Sequence, residues 1–268
     1  MPFFTSTDAR LYYRAWEADR PVAAFVFLHG GGEHSGQFSR LASRLNATGI
    51  DVYAIDHRGH GISEGERGIV RSLDVLARDA SALVDIVRER RPGLPLVLGG
   101  HSLGGWVTAA VITVDPAPFA GAVFTGASLR GRTALDASPP GEGFAFDTSA
   151  LAADPDYLEE LAKDPLVQLV LPEPEVTAAA LAVASDRLAT TFAGVTLPVL
   201  FVNGTSDALA PVQDARHWRD TLANARLVEI RDGRHNVLND VDHVTAIGAV
   251  RDFILEITAA PRPAAAGA

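Results

Sequence analysis

Three short stretches of this chain carry side chains whose chemistries fit together. In Gly100-His101-Ser102-Leu103-Gly104 a serine stands between glycines two positions away on either side. That is the G-x-S-x-G pattern of a nucleophile on a sharp strand-to-helix turn, where the flanking positions leave no room for a Cβ. A serine hydroxyl attacks poorly until a base removes its proton, and a neutral imidazole can do so near pH 7. Asp232-Gly233-Arg234-His235-Asn236 offers His235 as that base, and Asn203-Gly204-Thr205-Ser206-Asp207 offers Asp207 as its partner. A buried carboxylate fixes the imidazole tautomer and stabilises the imidazolium that forms. Asp214, Asp232 and Asp240 compete with Asp207 as turn or capping residues. Asp207 is preferred because it directly follows an apolar run and precedes Pro211, the expected first-turn residue of the next helix. His29-Gly30-Gly31-Gly32 completes the set. Its glycines can turn main-chain N–H groups toward a developing oxyanion, and the expected donors are the N–H groups of Gly31 and Leu103.

These residues need a scaffold that brings distant loops to one place. The apolar runs 22–28 and 94–98 read as buried strands, and 50–55, 119–124, 197–202 and 226–230 read as the further strands of the same sheet. Residues 38–47, 72–90, 106–112, 211–222 and 241–258 read as the helices between them, with Ser72 as a cap and Gly49 as a stop. Residues 3–16 suggest an antiparallel hairpin. Strands alternating with helices imply an α/β fold with a mostly parallel central sheet flanked by helices. In such a sheet the loops at the carboxyl ends of the strands form the active site, and Ser102, Asp207 and His235 all fall there, in that chain order. The β–α rhythm breaks over 128–194, which is Pro- and Ala-rich, acidic, and shows short helical patterns but no convincing strand. This reads as a helical cap inserted into one core formed by 1–127 and 195–260. The Pro/Ala-rich residues 261–268 read as a disordered tail.

Composition removes several alternatives. The chain has 268 residues, 47% of them hydrophobic and 21% charged, ample for a real core. A formal charge of −10 argues against nucleic acid as a partner, since that binding rests on clustered Lys and Arg. With no cysteine, disulfides, thiolate metal sites and cysteine nucleophiles are excluded. The mean hydropathy is +0.13, the run 22–28 is too short to cross a bilayer, and residues 1–8 lack a basic n-region and apolar h-region, so a cytoplasmic protein is expected. His29, His34, His57 and His60 lack metal-ligand spacing, so no metal or other cofactor is expected. Residues 88–91 read as a solvated, charged helix end.

Beyond the short elbow motif, two longer blocks are more specific. They are His29-Gly30-Gly31-Gly32-Glu33-His34-Ser35-Gly36 and the stretch from Asp56-His57-Arg58-Gly59-His60-Gly61 through Ile62-Ser63-Glu64-Gly65-Glu66-Arg67. With Gly100-His101-Ser102-Leu103-Gly104-Gly105, they resemble the monoacylglycerol lipase and lysophospholipase branch of the α/β-hydrolases. The likeness runs over 22–125 and 197–253; within the insertion only Asp164-Pro165-Leu166-Val167 shares it. The resemblance implies an α/β-hydrolase fold, cofactor-free cleavage of carboxylic esters through an acyl-enzyme, and an insertion acting as a lid. It assigns Ser102 as nucleophile, Asp207 as acid, His235 as base, and Gly31 and Leu103 as oxyanion donors. Its implied substrates are monoglycerides or other short- to medium-chain esters. Residues 172–189 are dominated by Ala, Glu, Pro and Val where lipid-meeting caps carry bulky apolar groups, which weakens the case for long acyl chains. Acyl transfer or perhydrolysis with the same triad is one alternative, and a non-catalytic receptor pocket is another. Transient contact of the cap with a lipid surface is a further expectation.

Overall fold

The apolar runs become the interior of an eight-stranded sheet in a computed structural model that describes residues 2–259 apart from 132, 138 and 140. The expected tail over 261–268 lies outside the described residues. Strands β1 (Phe3–Ser6) and β2 (Ala9–Trp16) form the antiparallel hairpin at one edge. Then come β3 (Ala23–Leu28), β4 (Ile50–Ile55), β5 (Leu96–His101), β6 (Phe119–Thr125), β9 (Val199–Gly204) and β10 (Ala225–Ile230). The spatial order is β1-β2-β4-β3-β5-β6-β9-β10; β2 pairs antiparallel with β4 and all later pairs are parallel. Strand β3 shows why these runs are apolar throughout. Ala24, Val26 and Leu28 enter one core, Ala23, Phe25 and Phe27 the other, so the strand has no wet face.

Helices cover both faces. On one side lie α2 (Leu73–Arg90), α3 (Leu103–Val114) and α7 (Val212–Thr221), contributing Leu76, Leu83, Trp106 and Trp218 to the larger core. On the other lie α1 (Ser39–Asn46) and α8 (His243–Ala259), contributing Leu41, Leu45, Ile247 and Phe253. Several expectations are corrected at element ends. The helix read over 38–47 is α1, one residue shorter at each end, and a 3-10 turn at Ser35–Phe38 leads into it. Ser72 occupies the position before α2, but its side chain makes no capping hydrogen bond. Pro211 stands just before α7 and not within it, while α8 begins at His243. The charged end of α2 is less solvated than its sequence suggests: Arg91 Nε donates to the buried Asp51 carboxylate at 2.6 Å.

Between β6 and β9 the chain leaves the sheet. It forms β7 (Phe144–Ala145), α4 (Thr148–Leu151), α5 (Pro155–Lys163), β8 (Val170–Leu171) and α6 (Pro174–Thr191). The reading of this stretch as strand-free is corrected by β7 and β8, which pair antiparallel, Phe144 opposite Leu171. Two residues per strand are too few for any periodic pattern to register. Helix α5 starts where its sequence says it should: Asp154 accepts from the Asp156 and Tyr157 N–H groups at 2.9 and 3.2 Å, and Pro155 occupies the first turn. Among the described residues, no helix is long and apolar enough to cross a membrane.

Candidate active site

Ser102 lies between the last residue of β5 and the first of α3 with φ +49° and ψ −115°. A positive φ is strained for a residue with a Cβ, and the strain is held by packing on both sides of the turn. The Ser102 N–H donates to the Thr125 carbonyl at 2.9 Å, while its own carbonyl accepts from the Gly105 N–H at 2.9 Å. The two flanking glycines are needed for contact. A Cβ on Gly100 would stand 2.2 Å from the carbonyl of Gly104, and one on Gly104 would stand 2.0 Å from the carbonyl oxygen of Leu28. Strand and helix approach as closely as main chain permits.

The loops after β9 and β10 bring the other two residues together. His235 Nδ1 lies 3.0 Å from both carboxylate oxygens of Asp207, and both side chains are buried. Asp207 is itself aimed by main chain, because its Oδ1 accepts from the Leu209 and Ala210 N–H groups at 2.9 and 2.8 Å. A carboxylate can only accept, so Nδ1 carries the proton and Nε2 is left as the acceptor. Burial pulls the His235 imidazolium down, but the charge and hydrogen bond of Asp207 outweigh it and the group ends above its ordinary value. Two of the three competing acids, Asp240 and Asp214, are occupied elsewhere. Asp240 accepts from the N–H groups of Ala153, Asp154, Val241 and Arg234, and Asp214 pairs with Arg130.

Gly31, in the loop after β3, and Leu103, at the first position of α3, line the same cavity as Ser102 and His235. Neither N–H donates to a main-chain acceptor among the described residues. At Leu103 the partial positive end of the helix adds to the donor. The loop is supported from below by His29, whose Nδ1–H donates to the Gly30 carbonyl at 2.7 Å while Nε2 accepts from the His57 N–H at 3.0 Å. His57 and His60 are buried against His29, and burial drives their imidazoles down to about 3 and 4. No group of three or more His, Asp or Glu side chains among the described residues is placed to hold a metal ion.

Ser102 stands between two cavities. One is apolar and walled by Trp106, Leu135, Phe144, Phe146, Leu171 and Leu181. The other is bounded by Glu33, Tyr157, Gln168 and His235. The segment between β6 and β9 reaches both sides. The Gln168 N–H donates to the Gly32 carbonyl at 2.8 Å, and the Asn236 N–H donates to the Leu151 carbonyl at 2.8 Å. His34 Nδ1 accepts from the Gly36 N–H, so its Nε2–H donates to Asp164 at 2.8 Å. This is how Asp164, shared with the resemblance, meets the glycine-rich loop. Sequence reasoning did not single out Glu33 as a site residue. It is a carboxylate in a glycine-rich turn, and burial raises it to about 7 against the opposing pull of the Gly30 N–H, His235 and Asn236. The one available signal was a carboxylate inside a glycine-rich block.

The family described as serine aminopeptidase S33 (Hydrolase_4) matches residues 19–242. A monoacylglycerol lipase of Mycolicibacterium smegmatis is 30% identical over 92% of this chain and 93% of its own. The chain belongs to this hydrolase family. Within it, the chain stands among the ester-hydrolysing α/β-hydrolases. A monoglyceride lipase of Homo sapiens is 40% identical over 46% of this chain and 41% of its own. The crystal structure of a Paleococcus ferrophilus monoacylglycerol lipase shares the α/β-hydrolase fold, with a TM-score of 0.79 and 24% identity over 92% of this chain and 99% of that one.

Proposed function

We propose that this protein is a serine hydrolase that cleaves monoglycerides or other short- to medium-chain carboxylic esters through an acyl-enzyme. The observation that carries the reading is the buried His235–Asp207 pair opening onto the cavity that holds the strained Ser102. Ser102 Oγ attacks the ester carbonyl as His235 Nε2 takes its proton. Asp207 stabilises the resulting imidazolium, and the N–H groups of Gly31 and Leu103 receive the oxyanion. His235 then protonates the departing alcohol, and a water activated by the same imidazole releases the acid. The apolar cavity suits the acyl chain, and residues 128–194 serve as the cap that shapes it. The names of the relatives support glycerol esters as the substrate class.

A panel from acetate esters to monoolein tests this, with Ser102→Ala as control. Turnover is expected on at least part of the panel and at background in the variant. Absence of turnover throughout, or turnover that survives Ser102→Ala, would overturn the reading.

A further inference from the structure

On the reading of Ser102 as nucleophile, we propose that Glu33 is a positioning residue whose carboxylate locks the oxyanion loop to the loop carrying the base. Its Oε2 accepts from the Gly30 N–H at 2.7 Å, one residue before Gly31. Its Oε1 accepts from Asn236 Nδ2 at 2.6 Å, one residue after His235. Asn236 Nδ2 also donates to the Tyr157 hydroxyl at 2.7 Å, so helix α5 of the cap closes the network. One buried carboxylate thereby spans three segments that meet at Ser102: residues 30–33, residues 235–236 and α5. The fit is tight. A Cβ on Gly30 would lie 2.8 Å from Glu33 Oε2, 3.1 Å from His101 Cδ2 and 3.2 Å from the Cβ of Ser102.

The arrangement suits an ionised group. Both oxygens already receive N–H donors, and only the carboxylate offers all its lone pairs as acceptors. No lysine or arginine pairs with Glu33 among the described residues. The groups that face it are His101 from β5, His235 and Asn236 from the loop after β10, and Tyr157 from α5. Asp207 lies beyond His235, and Arg40 and Glu160 lie near Tyr157. His101 stays neutral because burial holds its imidazole well below the ordinary value. His235 is therefore the one cation that forms beside Glu33 during the reaction, and the Glu33 charge favours its imidazolium. Burial raises Glu33 to about 7, the Asp207 carboxylate raises His235, and the two groups interact, so the acid limb of activity belongs to the pair.

The test compares wild type with Glu33→Gln, which keeps the size but carries a single acceptor oxygen and no charge. Tyr157→Phe, which removes only the cap's hydroxyl, is the second variant. On a short p-nitrophenyl ester, Glu33→Gln is expected to lower kcat about tenfold to a hundredfold with KM within about twofold, the pattern of lost transition-state contacts. Its acid limb should fall with one proton where wild type falls with more than one. The His235 imidazole, followed by NMR in the unliganded protein, should titrate at lower pH than in wild type. A wild-type kcat with an unaltered acid limb would overturn the proposal. If Glu33→Gln does not fold, Tyr157→Phe decides: a lower kcat at constant KM supports the lock, and wild-type kcat refutes it. A wild-type protein that cleaves no ester sinks the hydrolase reading and not this one. The NMR titration then decides, and a His235 midpoint equal in wild type and Glu33→Gln would remove the coupling.

Discussion

At the scale of single residues, the site is an arrangement of acceptors that choose protonation states. Asp207 accepts from His235 Nδ1–H and from two main-chain N–H groups, so the imidazole presents its basic nitrogen without any proton having to move first. Asp207→Asn keeps the shape but reverses that preference. We expect kcat to fall by about 10⁴. The acid limb should also move to lower pH, because the carboxylate is what raises His235. The sign follows from the chemistry. In the proposed mechanism His235 must be neutral to act as base, so wild-type activity is expected to be lost as pH falls through its raised value, and kcat/KM measured against pH reads both effects. Glu33 makes a second, opposite statement about stability. Its folded value near 7 lies above the ordinary 4.5, so the folded state holds a proton that the unfolded chain releases, and stability declines as pH rises across that interval. Thermal melts should show the Tm of Glu33→Gln gaining on wild type between pH 4.5 and 7; a gap that does not change with pH would contradict this.

At the scale of elements, two contacts carry the geometry. The elbow works because β3, β5 and α3 approach to main-chain distance at Gly104. Gly104→Ala inserts a methyl where 2.0 Å is available beside Leu28. The backbone there has no flexible side chain that can yield, so little folded protein is expected, measured as soluble yield and Tm. The second contact lies in the turn after β4, where Arg58 makes a two-pronged bond to Asp79 of α2 at 2.8 and 2.9 Å. Asp79 is completely buried, so Arg58→Met strands an unpaired carboxylate. Removing one partner of such a pair costs about 3 kcal/mol. For a chain of this length that lowers Tm by roughly 6 °C or more. A Tm within a degree of wild type would show that Asp79 finds water instead.

At the scale of the whole molecule, the segment between β6 and β9 is bound to the core on both sides of Ser102. Gln168 holds the glycine-rich loop, while Leu151 and Asp240 join this segment to the loop of His235. At the far end, Arg187 of α6 donates to Asp74 of α2, and the Thr177 hydroxyl accepts from the Val70 N–H. The same segment exposes Val170 and Val183, at 57% and 71% of their surface. If these residues touch lipid, co-sedimentation with zwitterionic vesicles should fall to background in a Val170→Asp, Val183→Asp double variant. A chain of charge −10 should also bind anionic vesicles less well. Equal recovery of wild type and double variant with the vesicles would remove the lipid contact.

The sequence by itself determined what is local. Strands buried on both faces are unbroken apolar runs, the elbow is two glycines around a serine, and loop positions after strands select Ser102, Asp207 and His235 from many similar residues. Periodicity and turn chemistry act over a few residues, which is why these features are legible without coordinates. Only the tertiary structure decided matters of long-range contact. It sent Asp240 and Asp214 to other partners, leaving Asp207 beside His235. It drew Arg91 out of an exposed charge run onto the buried Asp51. It paired β7 with β8, which are too short to show a pattern. It also set Glu33, an ordinary acid in the sequence, against Asn236, 203 positions away. The physical reason is that these partners lie far apart in the sequence. A polar group pairs with what the fold brings within reach, most strictly where it is buried, and only the folded chain states what that is.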